Sequence, residues 1–303
     1  MIAVQIRNVT KTFGDHLAVD DLSLDVPQGS VYGFIGPNGS GKTTTLRMIM
    51  RILHPNRGDI SVLGEYVLGA ANDRVAYLPE ERGLYKQMKV RDILRFYAEL
   101  KGCRNSTAAI NRWLERLGLL DWADKRVQTL SKGMSQKVQF IATVVAKPEL
   151  VLLDEPFSGL DPVNAEVLRE AVLELRRDGA TVIFSTHDMS VAEKMCDFIF
   201  MIYRGKKVLD GTLEAIQDTY GSDTVRVRLE GNGTALDRLP GVVKVADFGN
   251  WQELRLAQGT DTQALLATLM THGTVRHFEL ARPSLHDIFV RIAAPETEEH
   301  SHA

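Results

Sequence analysis

A chain of 303 residues with 44% apolar and 25% charged side chains has the composition of an ordinary globular protein, long enough for one large domain and a small one. A formal net charge of -3 supplies no basic field for nucleic acid, so none is expected as a partner. The two cysteines, Cys103 and Cys196, are far apart and lack CxxC spacing; this argues against a disulfide framework or a zinc site and fits a reducing compartment.

The opening segment, MIAVQIRNVTKTF, has neither the basic start nor the long apolar stretch of a secretory signal. Residues 3–9 and 21–26 alternate apolar and polar, as half-buried strands do. Residues 31–35 run apolar into a glycine-rich loop, and a helix is expected from Lys42 to about Leu53. Further strands are read at 58–63 and 75–78. Between about 90 and 120 the apolar spacing turns helical, which marks a helical subdomain at about 84–145. Strand-like runs return at 151–153, 181–184 and 198–203, the last far short of the ~20 residues of a spanning helix. Strands alternating with helices predict an α/β fold with a parallel sheet.

After about residue 220 the texture changes again. TVRVRLE reads as a strand and ALDRLP as a short helix. VVKVADF and WQELRLA read as a hairpin, TQALLATLM as a helix, VRHFELA as a strand and PSLHDIFVRI as a closing helix. The order βαββαβ plus a helix matches a small ferredoxin-like α+β domain. Three segments are therefore expected: 1–220, an accessory domain at 221–294 and a flexible tail at 295–303. His300 and His302 in the tail read as solvated residues, and Asp237, His272, His277 and His286 as surface or hydrogen-bonded ones.

Gly36, Pro37, Asn38, Gly39, Ser40, Gly41, Lys42 and Thr43, followed by Thr44, fit G-x-x-x-x-G-K-S/T between a strand and a helix. Glycines let the backbone fold tightly enough for its N–H groups to converge on phosphate oxygens, and the positive helix end points at the same place. Lys42 would neutralise the β- and γ-phosphates of a nucleotide, and the Thr43 hydroxyl would ligate Mg2+. The apolar run 150–153 ends in Asp154 and Glu155. Asp154 is placed to hold Mg2+ and Glu155 to polarise the attacking water. Standing alone, that acidic pair would read as ordinary solvated acids at a strand end.

Residues 130–136, LSKGMSQ, resemble the LSGGQ signature of ABC ATPases. Ser158, Gly159, Leu160 and Asp161 resemble that family's D-loop, and Ser185, Thr186, His187 and Asp188 its switch histidine. Order and spacing match an ABC nucleotide-binding domain of the P-loop NTPase class over roughly residues 1–220. The resemblance implies a head-to-tail dimer, homomeric or heteromeric. Each ATP would be sandwiched between the phosphate loop of one subunit and Ser131, Lys132 and Gly133 of the other, with His187 on the γ-phosphate. It also implies a multi-span membrane permease as partner and a place on the cytoplasmic face of the membrane. Phe13, in KTFG, sits where the family stacks an aromatic on adenine; a core phenylalanine at a strand end is the competing reading.

Two departures are visible. Tyr77-Leu-Pro-Glu80-Glu81-Arg82 stands where many members carry a glutamine, so Glu80 is a candidate Mg2+ ligand and a second candidate base. In the signature, Lys132 and Met134 replace glycine and glutamine, and Lys132 points either to the trans γ-phosphate or outward to solvent. Both departures are similar to the ATP-binding subunits of ABC-2-type exporters, which favours export over import. A soluble ATPase acting on ribosomes or in DNA repair is the alternative. For the accessory domain, a dimer brace competes with a small-ligand regulatory unit.

Overall fold

A computed structural model describes residues 1–66, 73–81, 83–220, 224–230, 236–257 and 259–293. Arg82 and the tail with His300 and His302 lie outside the described residues. The chain divides into two compact units, Met1–Leu213 and Glu214–Ala303.

In the first unit, β1 (Ile2–Phe13), β2 (His16–Pro27) and β3 (Val31–Ile35) lead to α1 (Lys42–Ile49). Strands β4 (Arg57–Val62), β5 (Glu65–Tyr66) and β6 (Val75–Leu78) follow. Helices α2 (Val90–Leu100), α3 (Thr107–Arg116) and α4 (Lys132–Val144) precede β7 (Leu150–Asp154), α5 (Pro162–Arg177) and β8 (Thr181–Thr186). Then come α6 (Met189–Met195), β9 (Phe198–Tyr203) and β10 (Lys206–Gly211). Two sheets form. One is antiparallel, in the order β2-β1-β4-β5; the other has the order β10-β9-β3-β8-β7-β6 and is parallel except for β10.

Burial explains why β3, β7 and β8 read as continuous apolar runs rather than alternating ones. Tyr32, Phe34, Leu150, Leu152 and Ile183 pack with β1, β2 and α1 on one face. Val31, Val151, Leu153, Val182 and Phe184 pack with α2 to α5 on the other. With both faces covered, no position on these strands is available to water.

Two boundaries differ from the sequence expectation. β1 and β2 run well past 3–9 and 21–26, because their ladder carries register shifts, with Asn8 and Asp21 both at φ 48. A bulge moves the inward face by one residue, so strict alternation breaks while the strand continues. Helix α1 stops at Ile49, short of Leu53. Arg51 takes φ 61, its N–H bonds the Met48 carbonyl at 3.0 Å and the Ile52 N–H the Arg47 carbonyl at 2.9 Å. That closure usually uses glycine, and arginine in its place left no signal.

In the second unit, α7 (Leu213–Tyr220) begins at the boundary, and β11 (Thr224–Glu230), β12 (Val242–Asp247), β13 (Gln252–Leu256), α8 (Thr262–His272), β14 (Thr274–Ala281) and α9 (Leu285–Ala293) follow. The sheet is antiparallel with order β12-β13-β11-β14, the ferredoxin-like arrangement. Its first crossover is reduced, among the described residues, to a 3-10 turn at Leu236–Arg238. Val225, Val227, Leu254 and Leu256 pack beneath Leu265 and Leu269 of α8. Asp237, His272, His277 and His286 are all exposed. No helix among the described residues is long and apolar enough to cross a membrane.

Candidate functional site

The carboxyl ends of β3, β7 and β8 bring the phosphate loop, the acidic pair and the switch histidine together, as open parallel sheets do with ligand chemistry. Between β3 and α1 the chain needs three glycines with positive φ: Gly36 at 151, Gly39 at 76 and Gly41 at 112. A Cβ on Gly36 would lie 2.2 Å from the Ile202 carbonyl oxygen, and one on Gly41 2.7 Å from that of Ala18. Pro37 is half-buried, Asn38 and Gly39 are exposed, Ser40 is buried, and Thr43 and Thr44 are half-buried on the first turn of α1.

Lys42 is buried, its Nζ donating to the Gly36 carbonyl at 2.7 Å and the Pro37 carbonyl at 3.1 Å, with Glu155 Oε1 3.7 Å away. Burial pushes its ammonium below the usual value, and the charges of Glu155, Asp154 and Glu80 pull it part of the way back. The Lys42 cation therefore sits in an acidic frame.

Asp154 is 1% exposed. Its Oδ1 accepts from Thr43 Oγ1 at 3.1 Å and Ser185 Oγ at 2.5 Å, and its Oδ2 from the Tyr77 hydroxyl at 3.2 Å. Glu155, at φ 48, turns the chain sharply off β7; its N–H donates to Ser185 Oγ at 2.9 Å. Its Oε2 lies 3.1 Å from Nδ1 of His187, which is exposed beyond β8. Among the described residues, Ser40 Oγ and Glu155 Oε1 are buried without a hydrogen-bond partner. Such groups are costly unless a ligand completes them, and here both flank the phosphate cradle.

The signature residues form a second constellation. Ser131 caps α4, accepting the Met134 N–H at 3.2 Å, so the helix starts at Lys132 and includes Gly133 in its first turn. Gly133 packs on the D-loop, where an added Cβ would meet Leu160 Cδ2 at 3.3 Å. Lys132 is exposed and lies across the D-loop of its own chain, its Nζ 2.6 Å from where a Cβ of Gly159 would sit. Asp161 caps α5 through the Asn164 N–H, whose hydrogen bond holds its carboxyl below the usual range. Gln136 Nε2 donates to the Pro156 carbonyl, tying this constellation to the turn after Glu155.

Phe13 ends β1 with 46% of its surface exposed and the Lys11 ammonium 5.1 Å from its ring centre, which removes the core reading. Glu80 is exposed on the loop after β6. Its charge reaches Lys42, but it does not join the hydrogen bonds around Asp154. Tyr77 and Ser185 do join them, and no motif spacing singled either out. A hydroxyl on each strand flanking β7, near its carboxyl end, was the available signal. Burial pushes the Tyr77 phenol up to about 12, with the Asp154 charge adding to it, so it stays a donor.

Comparison with known proteins agrees with this geometry. Residues 19–158 match the ABC transporter domain family, and residues 211–293 match the ATP-binding protein DrrA1-3-like, C-terminal domain. The chain is 44% identical over 287 residues to the uncharacterized ABC transporter ATP-binding protein YhaQ of Bacillus subtilis, covering 94% of this chain and 96% of that one. It is 33% identical over 303 residues to the Nod factor export ATP-binding protein I of Burkholderia lata, covering 98% of each. A solved ATP-binding subunit of an ABC transporter superposes with a TM-score of 0.67 at 30% identity, over 73% of this chain and 94% of that one. The cbiO1 protein of Clostridium perfringens, part of the ABC transporter complex cbiONQ, shares the fold with a TM-score of 0.64 at 22% identity, over 72% of this chain and 92% of that one. The phosphate cradle, the buried acidic pair and this kinship together place the chain in the ABC transporter ATP-binding proteins, whose chemistry is ATP hydrolysis coupled to transport.

Proposed function

We propose that this chain drives an exporter as a head-to-tail dimer on the cytoplasmic face of a membrane, docked to a multi-span permease. The observation that carries the reading is the contact between Glu155 Oε2 and His187 Nδ1 at 3.1 Å, beside a buried Lys42. That geometry supports the reading of Glu155 as general base, His187 as its orienting partner and Lys42 as the cation that neutralises one γ-phosphate. Lys42 binds the β- and γ-phosphates, Glu155 accepts a proton from the attacking water, and His187 orients both. Phe13 stacks on the adenine from its exposed position at the end of β1.

The donor set fits Mg2+. Thr43 Oγ1 and Asp154 Oδ1 already lie 3.1 Å apart, and Mg2+ is held by one or two carboxylates completed by phosphate oxygens and water. Thr43 and Asp154 would hold the ion, which supplies neutralisation of the phosphate charge. Glu80, whose charge reaches Lys42, would join through water.

Ser131, Lys132 and Gly133 close the site of the partner subunit, with the positive start of α4 aimed at its γ-phosphate. Export is supported by the two altered motifs and by the likeness to the Nod factor export proteins. The accessory domain, matched over residues 211–293, serves as a brace between two ATPase subunits.

The test is co-purification of the Glu155→Gln protein from membranes in ATP, with sizing of the purified protein. A dimer at saturating ATP and a stoichiometric multi-span protein are the expected results. A strictly monomeric profile would remove the trans site, and ribosomes or DNA in place of a membrane protein would remove the coupling to transport.

A further inference from the structure

We propose that Tyr77 is a positioning residue for the metal-binding carboxylate: its phenol holds the plane in which Asp154 presents an oxygen to Thr43. The inference rests on the reading that Thr43 and Asp154 hold Mg2+. A carboxylate turns readily about its last torsion, which is broad and two-fold. Nothing intrinsic to Asp154 therefore distinguishes its two oxygens. The surroundings do. Oδ1 takes the Thr43 and Ser185 hydroxyls, at 3.1 and 2.5 Å, and Oδ2 takes the Tyr77 hydroxyl at 3.2 Å.

The backbone explains how a tyrosine on β6, with two strands between it and β3, reaches this point. β6 is paired in parallel with β7, and Tyr77 lies opposite Leu152, two residues before Asp154. The phenol spans that offset along the strand direction. Its placement also ties Asp154 to the root of the loop carrying Glu80 and Glu81, so one hydrogen bond connects the metal carboxylate to a neighbouring surface loop. A donor on each oxygen holds the carboxylate plane. With Tyr77 gone, the carboxylate is held at one oxygen only, and its plane can tilt about the last torsion.

Groups that hydrogen-bond a metal's ligands typically govern affinity by about ten- to a hundredfold. Tyr77→Phe keeps the ring and removes the one oxygen. The measurement is thermal stabilisation by ATP, first without metal and then across a Mg2+ titration, with Mn2+ binding followed by electron paramagnetic resonance as a second readout. Wild type, Tyr77→Phe and Asp154→Asn are compared.

The expected result is a Mg2+ half-point raised about tenfold in Tyr77→Phe, with the metal-free ATP shift unchanged. A wild-type half-point in Tyr77→Phe, with a raised one in Asp154→Asn, overturns the role of Tyr77 and leaves the metal reading standing. Wild-type half-points in both variants overturn the metal reading and this inference with it. Loss of the metal-free ATP shift, or of the fold, in Tyr77→Phe makes the tyrosine merely structural and also overturns the proposal.

Discussion

The hydroxyl of Ser185 both accepts the N–H of Glu155 at 2.9 Å and donates to Asp154 at 2.5 Å, so one oxygen holds the backbone of the proposed base and the carboxylate beside it. Ser185 is fully buried on β8, directly opposite Asp154 in the parallel ladder. Ser185→Ala leaves a buried N–H and a buried carboxylate oxygen each short of a partner. A stability loss of about 2 kcal/mol is expected in urea unfolding, since unsatisfied buried groups cost about 1–3 kcal/mol each and partial relaxation recovers some of it. A loss below about 0.5 kcal/mol, the range of ordinary surface substitutions, would show that these bonds do not hold the site.

Glu155 and Glu80 compete for the role of base, and their surroundings separate them. Glu155 is 8% exposed with His187 and Lys42 beside it, whereas Glu80 is exposed on a loop. Glu155→Gln is expected to keep ATP binding and lower turnover by roughly a hundredfold or more. Glu80→Gln should stay within about tenfold of wild type, its effect passing through the field at Lys42. Phosphate release under saturating ATP ranks the two, and the opposite ranking would reassign the base.

The phosphate loop was legible in the sequence because its geometry is local: the consecutive residues Gly36 to Thr43 decide it, and the glycines stand where φ must be positive. The acidic pair was readable as a strand end, but its role rested on resemblance, since solvated acids give the same pattern. Tyr77 and Ser185 were not legible as parts of the site, because their contacts with Asp154 depend on the pairing of β6, β7 and β8, which no local spacing encodes. The true ends of β1 and α1 escaped for a related reason. Asn8, Asp21 and Arg51 adopt positive φ without being glycine, and only tertiary packing forces them there. The course of Lys132 across the D-loop was not legible for the same reason, since only the fold brings Gly159 beneath its side chain.

Gly36 and Gly39 share positive φ but not surroundings, which separates two costs of adding a methyl group. At Gly39 no atom of the described residues lies within 4 Å of an added Cβ, so Gly39→Ala should cost the nucleotide-free protein about 1 kcal/mol, from backbone conformation alone. At Gly36 the Cβ would meet the Ile202 carbonyl at 2.2 Å, and β9 cannot move away without breaking its pairing with β3. Gly36→Ala should therefore cost at least about 3 kcal/mol and abolish the ATP-induced rise in Tm. Equal costs in the two variants would mean that the loop, not β9, absorbs the contact.

Glu174 of α5 joins the helical arm to the sheet-bearing core. Burial alone would raise its carboxyl, but hydrogen bonds from Arg112 at its Oε1 and from Arg116 at Oε2, 2.9 Å, outweigh that and hold it below the usual carboxylate range. A carboxyl depressed in the folded state stabilises the fold above its unfolded pKa, and the contribution disappears as pH falls through the folded value. The window therefore opens below about pH 5, where the unfolded carboxyl begins to take up protons. Glu174→Gln is expected to lower Tm at pH 7, with the deficit narrowing steadily as pH falls below 5, because the wild-type protein loses the same charge there. At 0.5 M salt the deficit at pH 7 should persist in part, since Glu174 is 19% exposed and largely shielded from counterions while Arg112, at 53%, is not. A deficit independent of pH would assign the cost of the substitution to packing between α3 and α5 rather than to the arginine pair.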